Sequence, residues 1–312
     1  MRSALKAFLV TSNALALAVA VAVAEPNTEM PGMPERHAHR RPGVVTQRHR
    51  RRARRSQPAR EGVARLRAVW NARAEQDPLG AILFDYAKRD RRADKDELMR
   101  RGVEEVADFF SYAARSGLAP RGRTTVLDFG CGIGRTTQAL SSHFDRVIGV
   151  DIAPRMIALA ESHNRYDHCE YLVGDDSELA RFEDATFDLV YSTNVLQHIP
   201  RALQGECVGE FVRVLRPGGI VAVQTLPPSR LRTWIGRVVP RRLLDRYRSA
   251  RYGGPPVELN PISASQMALM ASAAGGMLLH TQPSLPAGGC RYFLGRVGDR
   301  RPAVLSGSRR ES

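Results

Sequence analysis

Val126-Leu-Asp-Phe-Gly-Cys-Gly-Ile-Gly-Arg-Thr-Thr137 is the stretch on which the fold turns. The apolar run from Thr125 to Asp128 reads as a short buried strand, and Gly134 to His143 reads as a helix. Between them glycines stand at 130, 132 and 134. Glycine reaches backbone angles closed to other residues and lets a ligand approach the main chain. A helix starting directly behind aims unpaired N–H groups at the same spot. Strand, glycine turn and helix in that order predict a nucleotide-type cofactor at the strand's end.

Working outward, strand and helix signals alternate. Val147 to Asp151 is the next strand, and Pro154, preset for a first helical turn, opens a helix to His163. Glu170–Val173, Phe187–Ser192 and Ile220–Gln224 are further strands. Between the last two, a helix puts Leu203, Cys207, Phe211 and Val214 on one face and stops at Arg216-Pro-Gly-Gly219. Upstream, Asp77 to Gly117 is helical in pattern, with Asp94 or Asp96 to cap a helix buried through Met99, Val103, Val106, Phe110 and Ala113. Downstream come a helix at Ser263–Ala274 and strands at Met277–His280 and Cys290–Val297. The 281–289 connection leaves no room for a crossover helix, so these last two strands should be antiparallel. The class is α/β, a mostly parallel sheet with helices on both faces.

Ligands of such sheets sit outside the carboxyl ends of the strands, where the strand order reverses. Four loops converge there. The first holds Asp128, Gly130, Gly132 and Gly134. The second holds Asp151, where a carboxylate can take both hydroxyls of a ribose. The third is Gly174-Asp175-Asp176, placed to accept from an adenine amino group. The fourth is Ser192-Thr-Asn194, near the reacting end. The dinucleotide pattern G-x-G-x-x-G fits poorly, since counting from Gly130 puts Arg135 where close helix packing wants a small residue.

The pattern D-x-G-x-G-x-G instead resembles the class I S-adenosylmethionine-dependent methyltransferases of the broad small-molecule type. The resemblance is strong over residues 124 to 225. V-L-D-F-G-C-G-I-G-R, V-I-G-V-D-I-A-P-R-M-I, Y-L-V-G-D-D, F-D-L-V-Y-S-T-N-V-L-Q-H-I-P and L-R-P-G-G-I-V-A-V each match a family motif in order. The resemblance implies a Rossmann-like seven-stranded sheet with an antiparallel last strand, and S-adenosylmethionine as cofactor. It implies that Asp128 and the glycines hold the methionine end and Asp151 the ribose. Ile152 and Met156 would flank the adenine, with Asp175 and the backbone at Asp176 reading its edge. Ala153 departs from the family by standing where a capping Ser or Asp is usual, which weakens the helix start by about 1 kcal/mol.

His198, in Gln197-His-Ile-Pro200, is the candidate base for an acceptor that must lose a proton; a structural histidine under the pocket is the competing reading. No Asn/Asp-Pro-Pro-Tyr/Phe, no glutamate pair for a guanidinium and no acidic cluster for Mg²⁺ follows the fourth strand, so no metal is expected. A small-molecule acceptor with an oxygen, nitrogen or carbon nucleophile remains. The insert from 227 to 256 holds eight arginines between Arg230 and Arg251 against Asp245 alone, with Leu231, Trp234, Ile235, Val238, Val239, Leu243 and Leu244 running through it. It reads as a lid helix with solvated arginines, or as a lid that takes an anionic or lipid-linked acceptor. The helix carrying Met99 and Phe110 is expected over the other side of the pocket.

The net charge of +15 is unevenly placed, because residues 1–60 carry twelve Arg and Lys against three Glu. Basicity is therefore no sign of a specific nucleic-acid partner. The uncharged run from Ala7 to Ala24 follows Arg2 and Lys6 and precedes Arg-rich blocks at 36–41 and 48–55. It admits a secretory signal, a weak membrane anchor or a dispensable extension. Dense arginine behind a weak apolar run opposes export, and the cofactor is cytosolic, so the expected compartment is the cytoplasm, with weak membrane association through residues 1–24 left open. The division expected is 1–60 extension, 61–123 helical cap, 124–300 catalytic domain and 301–312 tail. Cys131, Cys169, Cys207 and Cys290 have no metal-type spacing and read as buried hydrophobes. Rival readings are a nicotinamide-dependent oxidoreductase and a non-enzymatic basic RNA- or membrane-binding protein. Oligomeric state is not encoded in any of these features.

Overall fold

The structure, a computed structural model, describes residues 57–82, 94–174, 179–252, 255–285 and 289–299. Seven strands form one sheet: β1 (Thr125–Phe129), β2 (Arg146–Asp151), β3 (Cys169–Val173), β4 (Phe187–Thr193), β5 (Leu215–Thr225), β6 (Gly276–Leu285) and β7 (Gly289–Arg296). Their order is β3-β2-β1-β4-β5-β7-β6. β1 to β5 pair in parallel, and β7 lies antiparallel between β5 and β6. The antiparallel end expected from the short connection is present, though β6 and β7 both run further into it than the sequence suggests. The order reverses at β1, whose neighbours are β2 on one side and β4 on the other.

Alternate strand residues feed two apolar layers. Leu127, Ile148, Val190 and Val221 pack against Leu203, Cys207 and Phe211 of α6 (Arg201–Val214) and Met267 and Ala271 of α9 (Ala264–Ala273). Val126, Val147, Leu189, Tyr191 and Ala222 pack on the opposite layer, made by α3 (Lys95–Arg115), α4 (Arg135–Leu140) and α5 (Pro154–His163). All four cysteines are buried and outside any disulfide, as small hydrophobes would be.

Four details differ from the sequence reading. Helix α1 (Gln57–Gln76) precedes the expected helical start at Asp77, crosses the 60/61 division, and is followed by the short α2 (Pro78–Ile82). The helix expected from Gly134 to His143 is only α4, with Gly134 as its N-cap residue. Arg216-Pro-Gly-Gly219 does not follow the helix as a free turn; it is taken into β5, where the pairing jumps from Phe187↔Leu215 to Leu189↔Ile220. In α3, Asp94 is the cap, accepting from the Asp96 N–H at 3.0 Å, but the buried stripe is Leu98, Gly102, Val106, Phe109, Phe110 and Ala113. Val103 is 57 % exposed. The stripe was shifted because Gly102 gives no apolar signal, although it is the contact point of α3 with α4. A Cβ there would lie 2.5 Å from the Arg135 carbonyl oxygen.

Gly102→Ala should therefore destabilise the protein although alanine is the better helix former. Overpacking against a backbone carbonyl costs about 1–3 kcal/mol, against a propensity gain of about 1 kcal/mol. Thermal unfolding should show a lowered Tm, while Val103→Ala stays within about 0.5 kcal/mol of the parent. The opposite ranking would restore the stripe read from the sequence.

Candidate functional site

A cleft of about 970 Å³, its open mouth included, lies at the carboxyl ends of β1, β2 and β4. Its floor is the glycine turn, where Gly130 and Gly132 line the cleft and Gly134, at the helix start, does not; the three take φ of +79, +55 and +82. The N–H groups of Gly130 and Cys131 both donate to the Val150 carbonyl, at 2.7 and 3.1 Å, which fixes the turn to the end of β2. Side chains are excluded at its two ends. A Cβ on Gly130 would come within 2.1 Å of Val195 Cγ2, and one on Gly134 within 2.5 Å of the Tyr171 hydroxyl.

Asp151 closes β2 and lines the cleft. Its Oδ2 accepts from the Gly132 N–H and its Oδ1 from the Ala153 N–H, both at 2.9 Å. Ala153 makes no side-chain cap to α5, so the carboxylate two residues upstream satisfies the backbone there. Burial raises the Asp151 pKa, and the three backbone N–H donors at Ala153, Gly132 and Ile152 oppose that rise. Ile152, Met156 and Gly174 line the same end. Asp175 and Asp176 lie outside the described residues.

Asp128 stands behind the wall rather than in it. It is 1 % exposed, and its Oδ2 accepts from the hydroxyls of Thr136 at 2.8 Å and Thr137 at 2.7 Å. The bonds tie the end of β1 to the first turn of α4. Burial pushes its pKa up to about 6, with the two hydroxyls pulling the other way.

After β4 the chain turns through Asn194, which takes φ of +61 and donates its N–H to the Gln224 carbonyl at 2.9 Å. Asparagine is among the few residues that visit this left-handed region readily. A single 3-10 turn, Leu196–His198, follows. His198 lines the cleft, with Nδ1 3.1 Å from the Glu258 carbonyl oxygen and its ring 5.1 Å, edge to face, from Trp70. Burial takes its pKa down to about 4, so the imidazole is neutral at neutral pH.

Several wall residues were not anticipated. Leu66 and Trp70 of α1 and Ala81 of α2 cover the cleft. Helix α1 is tied across its mouth by Arg67 to the Gly174 carbonyl at 2.9 Å and by Arg73 to the Pro255 carbonyl at 2.8 Å. Val63, Leu66, Trp70 and Ala74 carry helical spacing, and that signal could have placed the helix. The expected cover by Met99 and Phe110 is not what forms: Phe110 stacks on His143 at 4.1 Å, and neither residue lines the cleft. Arg135, read as an obstacle to helix packing, is part of the wall and pairs with Glu105 of α3 at 2.8 Å. Burial alone would raise the Glu105 pKa; the Arg135 charge and hydrogen bond bring it below the usual carboxylate range.

The insert also differs from expectation. It forms α7 (Arg230–Val238) and α8 (Arg241–Tyr252), whose Ile235 and Leu244 pack together with Val239 of the link between them. Among the described residues, neither helix contributes to the cleft wall. The segment that follows the insert does reach the site: the Asn260 N–H donates to the Gln197 carbonyl at 2.6 Å, and Gln204 Nε2 to the Asn260 carbonyl at 2.9 Å. That segment brings the Glu258 carbonyl to His198. Among the described wall residues only Arg135 and Asp151 carry charge. No group of three or more His, Cys, Asp or Glu among the described residues is placed to hold a metal.

Residues 127–223, from β1 to β5, match the family described as a methyltransferase domain. The chain is 35 % identical over 125 residues to 2-methyl-6-phytyl-1,4-hydroquinone methyltransferase of Synechocystis sp., covering 39 % of this chain and 38 % of that protein. It is 38 % identical over 100 residues to 24-methylenesterol C-methyltransferase 2 of Oryza sativa subsp. japonica, over 30 % of this chain and 27 % of that one. The chain thus spans well under half the length of these relatives. Magnesium protoporphyrin IX methyltransferase from Synechocystis, solved with bound SAH, superposes with a TM-score of 0.51 at 16 % identity, over 75 % of this chain and 99 % of that one; at that identity the likeness is one of fold. The match to the methyltransferase-domain family runs through both sides of the reversal at β1, so the part of the chain that resembles the family is the part that carries the cleft.

Proposed function

We propose that the chain is an enzyme that transfers the methyl group of S-adenosylmethionine to a small, neutral and largely apolar acceptor. The observation that carries this is the glycine turn pinned by Asp151, which keeps side chains off the cleft floor at Gly130 and Gly132 and sets one carboxylate on its wall beside the apolar Ile152 and Met156. Those groups fit the cofactor's chemistry: polar at the amino acid and ribose, apolar and flat at the adenine. Gly130 and Gly132 cradle the methionine end, Asp151 the ribose, and Ile152 and Met156 the adenine, with Asn194 closing the reacting end. Asp128 acts through the turn it braces. The cofactor supplies a methyl on a positively charged sulfur and leaves as a neutral thioether.

The chain's own task is to align the acceptor, exclude water and take a proton where one is released. Leu66, Trp70, Val195 and Ile199 form an apolar wall around His198, and the neutral imidazole is the group there that can receive the proton. Arg135 is already paired with Glu105, so the wall offers little to an anionic acceptor. The relatives named above act, by name, on a phytyl-hydroquinone and a methylenesterol, which supports an apolar acceptor. The compartment of such a reaction is the cytoplasm, where the cofactor is made.

Calorimetry with S-adenosylmethionine should show binding, and NADH none; heat with NADH alone would end this reading. Asp151→Ala should weaken cofactor binding by about 1–3 kcal/mol, the cost of stranding buried hydrogen-bonding groups. Unchanged affinity would remove Asp151 from the ribose. Because burial holds His198 neutral down to about pH 4, kcat/KM should keep its acid limb near there rather than near 6.5, and His198→Gln should abolish that limb and lower kcat. Its stability linkage has a definite sign. Between pH 6.5 and about 4 the unfolded chain takes a proton that the folded one refuses, so stability falls as pH drops through that window. Unfolding of the His198→Gln variant should lose that part of the slope.

A further inference from the structure

We propose that the helical pair α7–α8 is a docking surface for an anionic lipid bilayer. The two helices use Ile235 and Leu244 against each other, with Val239 of the link between them packed on both. Trp234, Val238 and Leu243 are left 57 %, 53 % and 52 % exposed, three large apolar groups within ten residues of chain. Trp234 and Val238 are one helical turn apart and share a face. Arg237, Arg241, Arg242 and Arg246 are exposed around them, in a stretch whose one acid, Asp245, lies 3.7 Å from Arg241.

Tryptophan and aliphatic groups interleaved with arginine suit the headgroup level of a membrane. The ring and aliphatic groups enter the interface while guanidinium groups meet lipid phosphates. Helices of 9 and 12 residues lie on such a surface and do not cross it, and no helix among the described residues is long and apolar enough to span. The alternatives fit less well. A polyanion such as RNA would engage the arginines and leave Trp234, Val238 and Leu243 in water. A second copy of the chain would bring another strongly basic surface against this one. The surface also connects to the cleft. Arg241 of α8 pairs with the Glu258 carboxylate, and the Glu258 carbonyl holds His198. The inference does not depend on the methyl-transfer reading.

Trp70 and Trp234 are the chain's two tryptophans, so Trp70→Phe in the full chain leaves Trp234 as the sole emitter. With vesicles of phosphatidylglycerol and phosphatidylcholine in equal parts, Trp234 emission should shift to the blue and be quenched by brominated acyl chains. Vesicles of phosphatidylcholine alone should do neither. Arg237→Glu, Arg242→Glu and Arg246→Glu together should lower vesicle partition about tenfold or more, with circular dichroism checking the fold. If the reversed chain unfolds, quenching of Trp234 in the unreversed chain decides by itself. Co-sedimentation with unshifted, unquenched Trp234 would overturn the proposal and assign lipid binding to the N-terminal arginines. An equal shift on short RNA without lipid, or one that grows with protein concentration alone, would overturn it in favour of nucleic acid or self-association.

Discussion

The Asp151 carboxylate holds together two backbone segments that would otherwise be independent. One oxygen receives the Gly132 N–H from the turn after β1, the other the Ala153 N–H at the start of α5. Hydrogen bonds to a carboxylate are stronger than neutral ones, and this one group satisfies donors from the loops after β1 and β2. The glycines accept the strained turn, Asp128 fastens its far end through Thr136 and Thr137, and the β1–β2 pairing sets the separation. A ligand meeting Asp151 meets a group whose position is already determined.

The parallel half of the fold was legible because each element signals itself locally. Short apolar runs ending in Asp128 and Asp151, glycines at alternate positions and Pro154 at a helix start are events within one or two turns of chain. The antiparallel end was legible for a different reason, since the connection from 281 to 289 excludes a crossover. What escaped the sequence is long-range packing. Gly102 reads as a helix weakener, yet it is where α3 meets the backbone of Arg135. Arg135 reads as too large for its position, yet its charge is met by Glu105, thirty residues earlier.

The site was legible at its polar points and illegible at its cover. Asp151, Ile152, Met156, Asn194 and His198 all reach the cleft wall. Their cover comes from α1, whose few apolar residues lie among charges and directly behind an arginine-rich stretch. The described helices of the insert, whose composition suggested a lid, stay off the cleft wall, and the segment behind the insert contributes a carbonyl at Glu258. Composition shows that a segment will pack or bind, and the fold decides which side of the cleft it reaches.

Helix α1 ties the cover of the cleft to the core. The hydrogen bonds of Arg67 and Arg73 end on the carbonyls of Gly174 and Pro255, and each such bond is worth only about 0.5–1.5 kcal/mol net. Burial holds the helix more firmly, since Val63 and Ala74 are each 1 % exposed. Stripping the cover from the cleft would open core as well, so the wall that Leu66 and Trp70 lend the site belongs to the domain's own stability.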